Sequence, residues 1–178
     1  MKANTEYITP SCAIKNQRGN TTTEMALMLL PFVVLLLGVM EFGWYFLHQH
    51  TLQYATREGM RLALVGEVLN DENGDPQTRE ASIKQVIHEK GEIGLMDIDP
   101  NKITMWRDQN TDNNYTGPLT FEELAPNAGN PADYMRIKVE YYHHFLNPLI
   151  GTFFPDPGSI LLRAEATYRN EDFTPEVI

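Results

Sequence analysis

The chain has 178 residues, a length that usually corresponds to one domain. Its formal net charge is −10, and no basic patch of the kind that binds nucleic acid is visible, so we expect no nucleic-acid partner. Cys12 is the single cysteine, so no intramolecular disulfide can form. The cysteine content therefore neither requires nor excludes an oxidising compartment.

The first 19 residues show no hydrophobic period and are predicted to be a cytoplasmic leader. This leader carries three basic residues and one acidic residue, and a long apolar run follows it. Basic residues collect on the cytoplasmic side of a membrane span, so this asymmetry places the N-terminus in the cytoplasm and the rest of the chain outside. Arg57 and Arg61, beyond the run, weaken the asymmetry.

The apolar run covers about residues 25–47 and predicts a transmembrane helix with one charged residue, Glu41. At about 1.5 Å per residue it spans roughly 35 Å, enough to cross a bilayer. Trp44 and Tyr45 near its end are typical of an aromatic interface belt, and Pro31 is better tolerated in a membrane helix than in a soluble one. A buried core helix is the alternative, whereas a secretory signal peptide would have a shorter apolar core.

Helical spacing continues beyond the run, so we predict one long helix over residues 20–66. A hydroxyl among Thr21–Thr23 could cap its first turn, and Gly66 is the predicted stop. The second half of this helix is expected to form either a stalk or one wall of a domain that occupies residues 67–178.

The outer domain is predicted to combine one helix with a sheet. Residues 70–76 are rich in turn formers, and residues 78–91 show the spacing of a short amphipathic helix. Strict alternation of polar and apolar residues predicts an antiparallel sheet with one solvated face, its other face being covered by the two helices. The predicted strands are 102–107, 134–142 and 160–171, with a polar turn at 108–118, irregular chain at 120–133 and a loop at 143–158.

The N-terminal residues also resemble a known signal. A short basic leader ends at Gly19, and Glu24 follows five residues later at the start of an apolar helix that contains a proline. This pattern resembles the class III signal of type IV pilin-like proteins, and residues 18–45 resemble the start of TadE-like proteins of the Tad (tight adherence) pilus systems. Downstream, 53–66 is similar to the family's helical Ala-x-Arg-x-x-x-Arg-x-Ala stretch, and 139–151 with 159–171 to its C-terminal strand pair.

The resemblance implies that a prepilin peptidase cuts after Gly19, which makes Asn20 the first residue of the mature chain and Glu24 the fifth. An unpaired carboxylate at the centre of a membrane helix costs roughly 2.5–3.5 kcal/mol on insertion scales. By analogy with pilins, the new α-amine of this chain or of a neighbour would pair with Glu24 and set the register between subunits. The alternative is that Glu24 lies at the headgroup level, where the cost is small.

The resemblance also implies that the first helix packs against other subunits, and we assign Pro31 and Glu41 to that contact together with Glu24. For Glu41 a simpler interpretation is a position at the outer membrane interface, beside Trp44 and Tyr45. The expected fold class is α+β and pilin-like: a long N-terminal transmembrane helix that continues into a small domain with a second helix and an antiparallel sheet.

No catalytic or metal-binding pattern is visible in the sequence. His48 and His50 fall on different helix sides, His143 and His144 point to opposite strand faces, and no cysteine cluster supports zinc. The acidic stretches 71–75 and 108–114 fail the EF-hand pattern, which leaves only a looser calcium site open. Nucleophile, P-loop and dinucleotide signatures are absent, so we expect a protein that is not an enzyme and uses no cofactor.

The resemblance implies a minor pilin or pseudopilin in a bacterial Tad pilus machine, anchored in the inner membrane with its outer domain in the periplasm and entering an extracellular pilus if incorporated. Its implied partners are the prepilin peptidase, inner-membrane platform proteins, the major Flp pilin and other TadE- or TadF-like subunits, in a hetero-oligomer. The alternative is a single-pass envelope protein whose outer domain is a binding module with no filament role.

Overall fold

The computed structural model describes residues 18–71, 73–108, 121–123, 128–152, 154, 156 and 158–172. Cys12 and nearly all of the predicted leader lie outside these residues, as does most of the polar turn predicted at 108–118. Contacts divide the chain into two units, Met1–Val39 and Met40–Ile178, so the division falls inside the first helix.

Helix α1 spans Arg18–Val65. Because it already includes Arg18, Thr21–Thr23 lie within the helix, and the prediction that they cap its start is wrong. The predicted stop is confirmed: Gly66 has a φ of 76° and its backbone N–H donates to the carbonyl of Ala63 at 3.3 Å. Glycine adopts this left-handed conformation without a steric penalty, which makes it the usual residue after a helix end.

In the first unit, the described residues are those of α1 up to Val39, and their apolar side chains are mostly exposed. The most apolar 18-residue window of α1 has a mean hydropathy of 2.4, and 6% of it is buried. This length and composition suffice to cross a membrane. The N-terminal apolar helix therefore indicates a membrane-anchored, single-pass protein.

The second unit contains a four-stranded antiparallel sheet in the order β2-β1-β3-β4. Its strands are β1 (Ile103–Asp108), β2 (Phe121–Glu123), β3 (Tyr134–His144) and β4 (Ser159–Arg169). The three predicted strands are confirmed to within two residues. Strand β2 was not predicted, and it corrects the expectation that residues 120–133 are irregular. The loop predicted at 143–158 is also corrected: β3 continues to His144, and Pro148–Gly151 forms the short helix α3.

One face of the sheet is buried and the other is solvated, as the alternation predicts. Met135, Ile137 and Val139 of β3 are fully buried, whereas the residues between them are half-buried and charged. The same core includes side chains from the second half of α1 and from helix α2, Arg79–Glu92. The second half of α1 is therefore one wall of this unit rather than a free stalk.

Two close approaches hold α1 against this core. A Cβ added to Gly59 would overlap the side chain of Ile87 on α2, and one added to Gly94 would overlap Thr51. Only a residue without a side chain lets the backbone come this near. Glycines therefore allow α1 to pack closely at two points, through Gly59 on α1 itself and through Gly94 beyond the end of α2.

The C-terminal end of α1 is held by two further segments of the second unit. The guanidinium of Arg79 donates to the carbonyl of Ala63 at 2.8 Å and to that of Gly129 at 2.7 Å. The backbone N–H of Glu171 donates to the carbonyl of Leu64 at 3.0 Å. These bonds pair the carbonyl of Leu64 and give that of Ala63 a second donor beside Gly66, in the turn where a helix lacks N–H partners of its own.

Candidate membrane and subunit contact surface

The residues of the predicted cleavage signal lie in the first turns of α1. The backbone of Gly19 and Asn20 is helical, and the side chain of Glu24 is exposed. Asn20 and Glu24 are four residues apart, which places them on the same side of the helix, roughly 6 Å apart along its axis. A new α-amine on Asn20 would therefore lie within about one helical turn of the Glu24 carboxylate.

Pro31 lies inside α1 without ending it. Proline has no backbone N–H, so the carbonyl four residues earlier loses its helical partner, and in a soluble helix this change kinks or breaks the chain. Its neighbours Leu30 and Phe32 are 71% and 58% exposed. Pro31 thus lies on the exposed apolar part of α1, and the subunit contact that the resemblance implies for it stays a prediction.

Glu41, in contrast, is buried, with 5% of its surface exposed. One carboxylate oxygen accepts the backbone N–H of Leu146 at 2.9 Å, and the other accepts that of Asn147 at 3.1 Å. Trp44 and Tyr45 on the next turn are half-buried. The structure therefore gives Glu41 partners within its own chain, more than 100 residues away, that sequence reasoning missed.

Residues 19–61 match the family model of TadE-like proteins. The match confirms the resemblance seen in the sequence, and it covers Gly19, Asn20, Glu24, Pro31 and Glu41, although it spans about a quarter of the chain. It ends before β3 and β4, so their likeness to the C-terminal strands of TadE-like proteins stays a prediction. The search of curated proteins gave no match, and the search of solved structures gave none either.

His48 lies on the same face of α1 as Glu41 and forms a buried pair with His143 of β3. His48, two helical turns after Glu41, has its Nδ1 atom 2.8 Å from Nδ1 of His143 on β3, and both rings are buried. His143 and His144 do point to opposite faces, as predicted, and His50 is exposed. Each histidine pair in the sequence thus contributes one ring to the interior. The signal that could have found them is the spacing of Glu41, His48 and Leu52 along one helix face.

The distance between the two Nδ1 atoms is that of a hydrogen bond, in which the N–H of one ring donates to the unprotonated Nδ1 of the other, so the bond excludes a pair with both rings protonated. Burial lowers the pKa of His143, the nearby charge of Glu41 raises it, and His144 lowers it. The rings of Tyr45 and Tyr141 pack edge-on against His143 and His48 respectively. These surroundings favour a structural contact between α1 and the sheet.

Metal ligation finds no support in the described part of the chain. No group of three or more histidine, cysteine, aspartate or glutamate side chains lies close enough there to hold an ion. In the acidic stretch 71–75, Asp71 instead accepts the backbone N–H groups of Asn73 and Asp75, each at 2.9 Å, which fixes the turn. Residues 109–114 of the other acidic stretch lie outside the described residues.

The solvated face of the sheet carries a small ion-pair cluster. Glu140 lies 2.6 Å from the amine of Lys138 and 2.9 Å from the guanidinium of Arg163 on β4. Hydrogen bonding to Lys138, and then to Arg163, lowers the pKa of Glu140. Surface pairs of this kind add little stability because water screens them. The cluster is consistent with a solvated outer face.

Proposed function

We propose that this chain is a minor pilin or pseudopilin that takes part in the assembly of a Tad-type (Flp) pilus and has a structural role in adhesion or secretion machinery. The match of residues 19–61 to TadE-like proteins carries the proposal, because that family indicates a Tad pilus-associated protein. The exposed apolar surface of α1 up to Val39 supports it, since such a surface needs lipid or other apolar helices around it.

The proposed assembly begins in the inner membrane, with the N-terminus in the cytoplasm and the second unit in the periplasm. A prepilin peptidase removes residues 1–19, and the new α-amine of Asn20, on this chain or on a neighbouring one, pairs with Glu24. The exposed side of α1, with Pro31 at its middle, then packs against other subunits. Partners are other TadE- or TadF-like subunits, the major Flp pilin and the inner-membrane platform proteins.

Cleavage and location can be tested together by N-terminal sequencing of the full chain, expressed with its prepilin peptidase and recovered from membranes and from sheared pili. We expect the membrane form to begin at Asn20, and the same N-terminus in sheared pili if the chain enters the filament. Gly19→Leu should abolish cleavage because a bulky side chain would replace the glycine at the cut site.

Gly38→Leu is the matched control, since an added Cβ at Gly38 meets no atom within 4 Å and the same substitution is made in the same helix. It should be cleaved like the natural chain. A natural chain that keeps residues 1–19 in the presence of an active peptidase would refute the cleavage step. Absence of the chain from both the pili and the pilus assembly complex would refute the pilin role.

A further inference from the structure

The loop of residues 145–151 exposes apolar side chains at an unusual place. Leu146 is 60% exposed and Leu149 is 70% exposed, and no residue of the loop is charged. Single exposed leucines are common on protein surfaces and need no explanation by themselves. The position of these two relative to the apolar run of α1 is what distinguishes them.

Glu41 fixes that position. Its carboxylate binds the backbone N–H groups of Leu146 and Asn147, so the loop lies against α1 at the level of Glu41. Glu41 precedes Leu47, the end of the apolar run, by six residues, which is roughly 9 Å along the helix. If the run crosses the membrane, the loop is therefore at the depth of the lipid leaflet and not in the aqueous layer beyond it.

The backbone N–H groups at the start of the loop are paired, which lowers the cost of placing them at a membrane boundary. Asn147 caps α3 by accepting the N–H of Leu149 at 3.0 Å, and the N–H of Phe145 donates to the carbonyl of Gly158 at 3.1 Å. Together with the two bonds to Glu41, these pair the N–H groups at the start of the loop. Unpaired N–H groups are costly where water is excluded, so this arrangement suits a membrane boundary.

At a similar level, α1 exposes two aromatic side chains. Phe42 is 66% exposed and Phe46 is 52% exposed, and both belong to the turns on either side of Trp44. Aromatic side chains in such a band are typical of the membrane–water boundary. The loop and α1 thus both expose apolar side chains at this level.

We propose that the 145–151 loop is a second membrane contact of this protein, in which Leu146 and Leu149 insert among the lipid chains of the leaflet where the apolar run of α1 ends. The bonds to Glu41 satisfy a carboxylate inside the run and hold the loop at that depth. The occupant of this surface is lipid, not another subunit. The proposal depends on α1 crossing the membrane and is independent of any role in a pilus.

The test uses the full chain, with Cys12→Ser, in liposomes that contain no other protein. Single-cysteine variants L146C and L149C carry a nitroxide label, whose collisions with oxygen and with a water-soluble nickel chelate report its depth. L36C, in the apolar run, is the lipid reference. V65C is the aqueous control, because Val65 is 53% exposed at the far end of α1.

We expect the labels at 146 and 149 to behave like that at 36, with frequent oxygen collisions and few nickel collisions, and the label at 65 to show the reverse. Labels at 146 and 149 that match position 65 would overturn the proposal. Labels shielded from both reagents would also overturn it, because protein rather than lipid would then cover the loop. All four substitutions replace exposed side chains, so the fold is expected to persist, and a circular dichroism spectrum checks it.

Discussion

The two halves of α1 form one helix in two different surroundings. Leu35 in the first unit is 64% exposed, whereas Leu52 in the second unit is completely buried against α2 and the sheet. Apolar residues surround the first half on all sides, whereas the fully buried apolar residues of the second half share one face, which includes Leu52, Ala55 and Ala63. A helix that is apolar all round suits a membrane, and one with an apolar stripe suits a sheet.

The largest difference between the halves should appear when the same residue is truncated in each. Leu52→Ala leaves a cavity in a closed core and should lower the free energy of unfolding by about 2–5 kcal/mol. Leu35→Ala should leave the unfolding of the second unit unchanged, since Leu35 packs outside it. Denaturant titration in detergent, followed by tryptophan fluorescence, measures both. Equal losses would contradict the separation of the helix into two parts.

Removal of a carboxylate in the second unit should have a smaller effect on the free energy of unfolding, and the effect should differ between Glu41 and Glu58. Glu41→Ala leaves the N–H groups of Leu146 and Asn147 without their acceptor and should cost about 1–3 kcal/mol of unfolding free energy. Glu58→Ala is the control, because the pair that Glu58 forms with Arg61 lies at the surface and is worth roughly 0.2–0.5 kcal/mol. The same denaturant titration compares them, and a loss as small for Glu41 as for Glu58 would show that the carboxylate does not hold the loop.

The smallest effect should be a dependence on pH. The folded pKa of His143 is lowered from 6.5, so below pH 6.5 the unfolded chain binds protons more readily than the folded chain does. The free energy of unfolding should therefore be highest above pH 6.5 and decrease as the pH falls below that value. His143→Gln should weaken this dependence without removing it, because burial also lowers the pKa of His48, to about 4, and His50→Gln, at an exposed site, should leave it intact. Parallel profiles for all three chains would argue against the buried pair as its source.

The elements with a clear local period could be predicted from the sequence. The alternation in residues 134–142 and 160–171 gave two strands and their solvated face, and the apolar run with Gly66 gave the long helix and its end. Local signals act over a few residues, which is why these predictions succeeded. The three-residue strand β2 is too short to show a period, and it is stabilised by its pairing with β1 instead.

The contacts of the candidate site were harder to predict because they join distant parts of the chain. Glu41 is 105 residues from Leu146, and His48 is 95 residues from His143. Nothing near Glu41 in the sequence indicates that its carboxylate will meet two backbone N–H groups, since these become neighbours only when β3 packs beside α1. The cleavage signal predicted around Gly19 is the opposite case, since that prediction depends on adjacent residues alone.

The bonds at the end of α1 have a mechanical consequence. Arg79 links the carbonyl of Ala63 to that of Gly129, which precedes β3, and the N–H of Glu171, which follows β4, holds the carbonyl of Leu64. β3 and β4 are neighbours, paired along their full lengths of 11 residues. Tension applied to α1 is therefore divided between two adjacent strands, and no single loop has to transmit the whole force to the sheet.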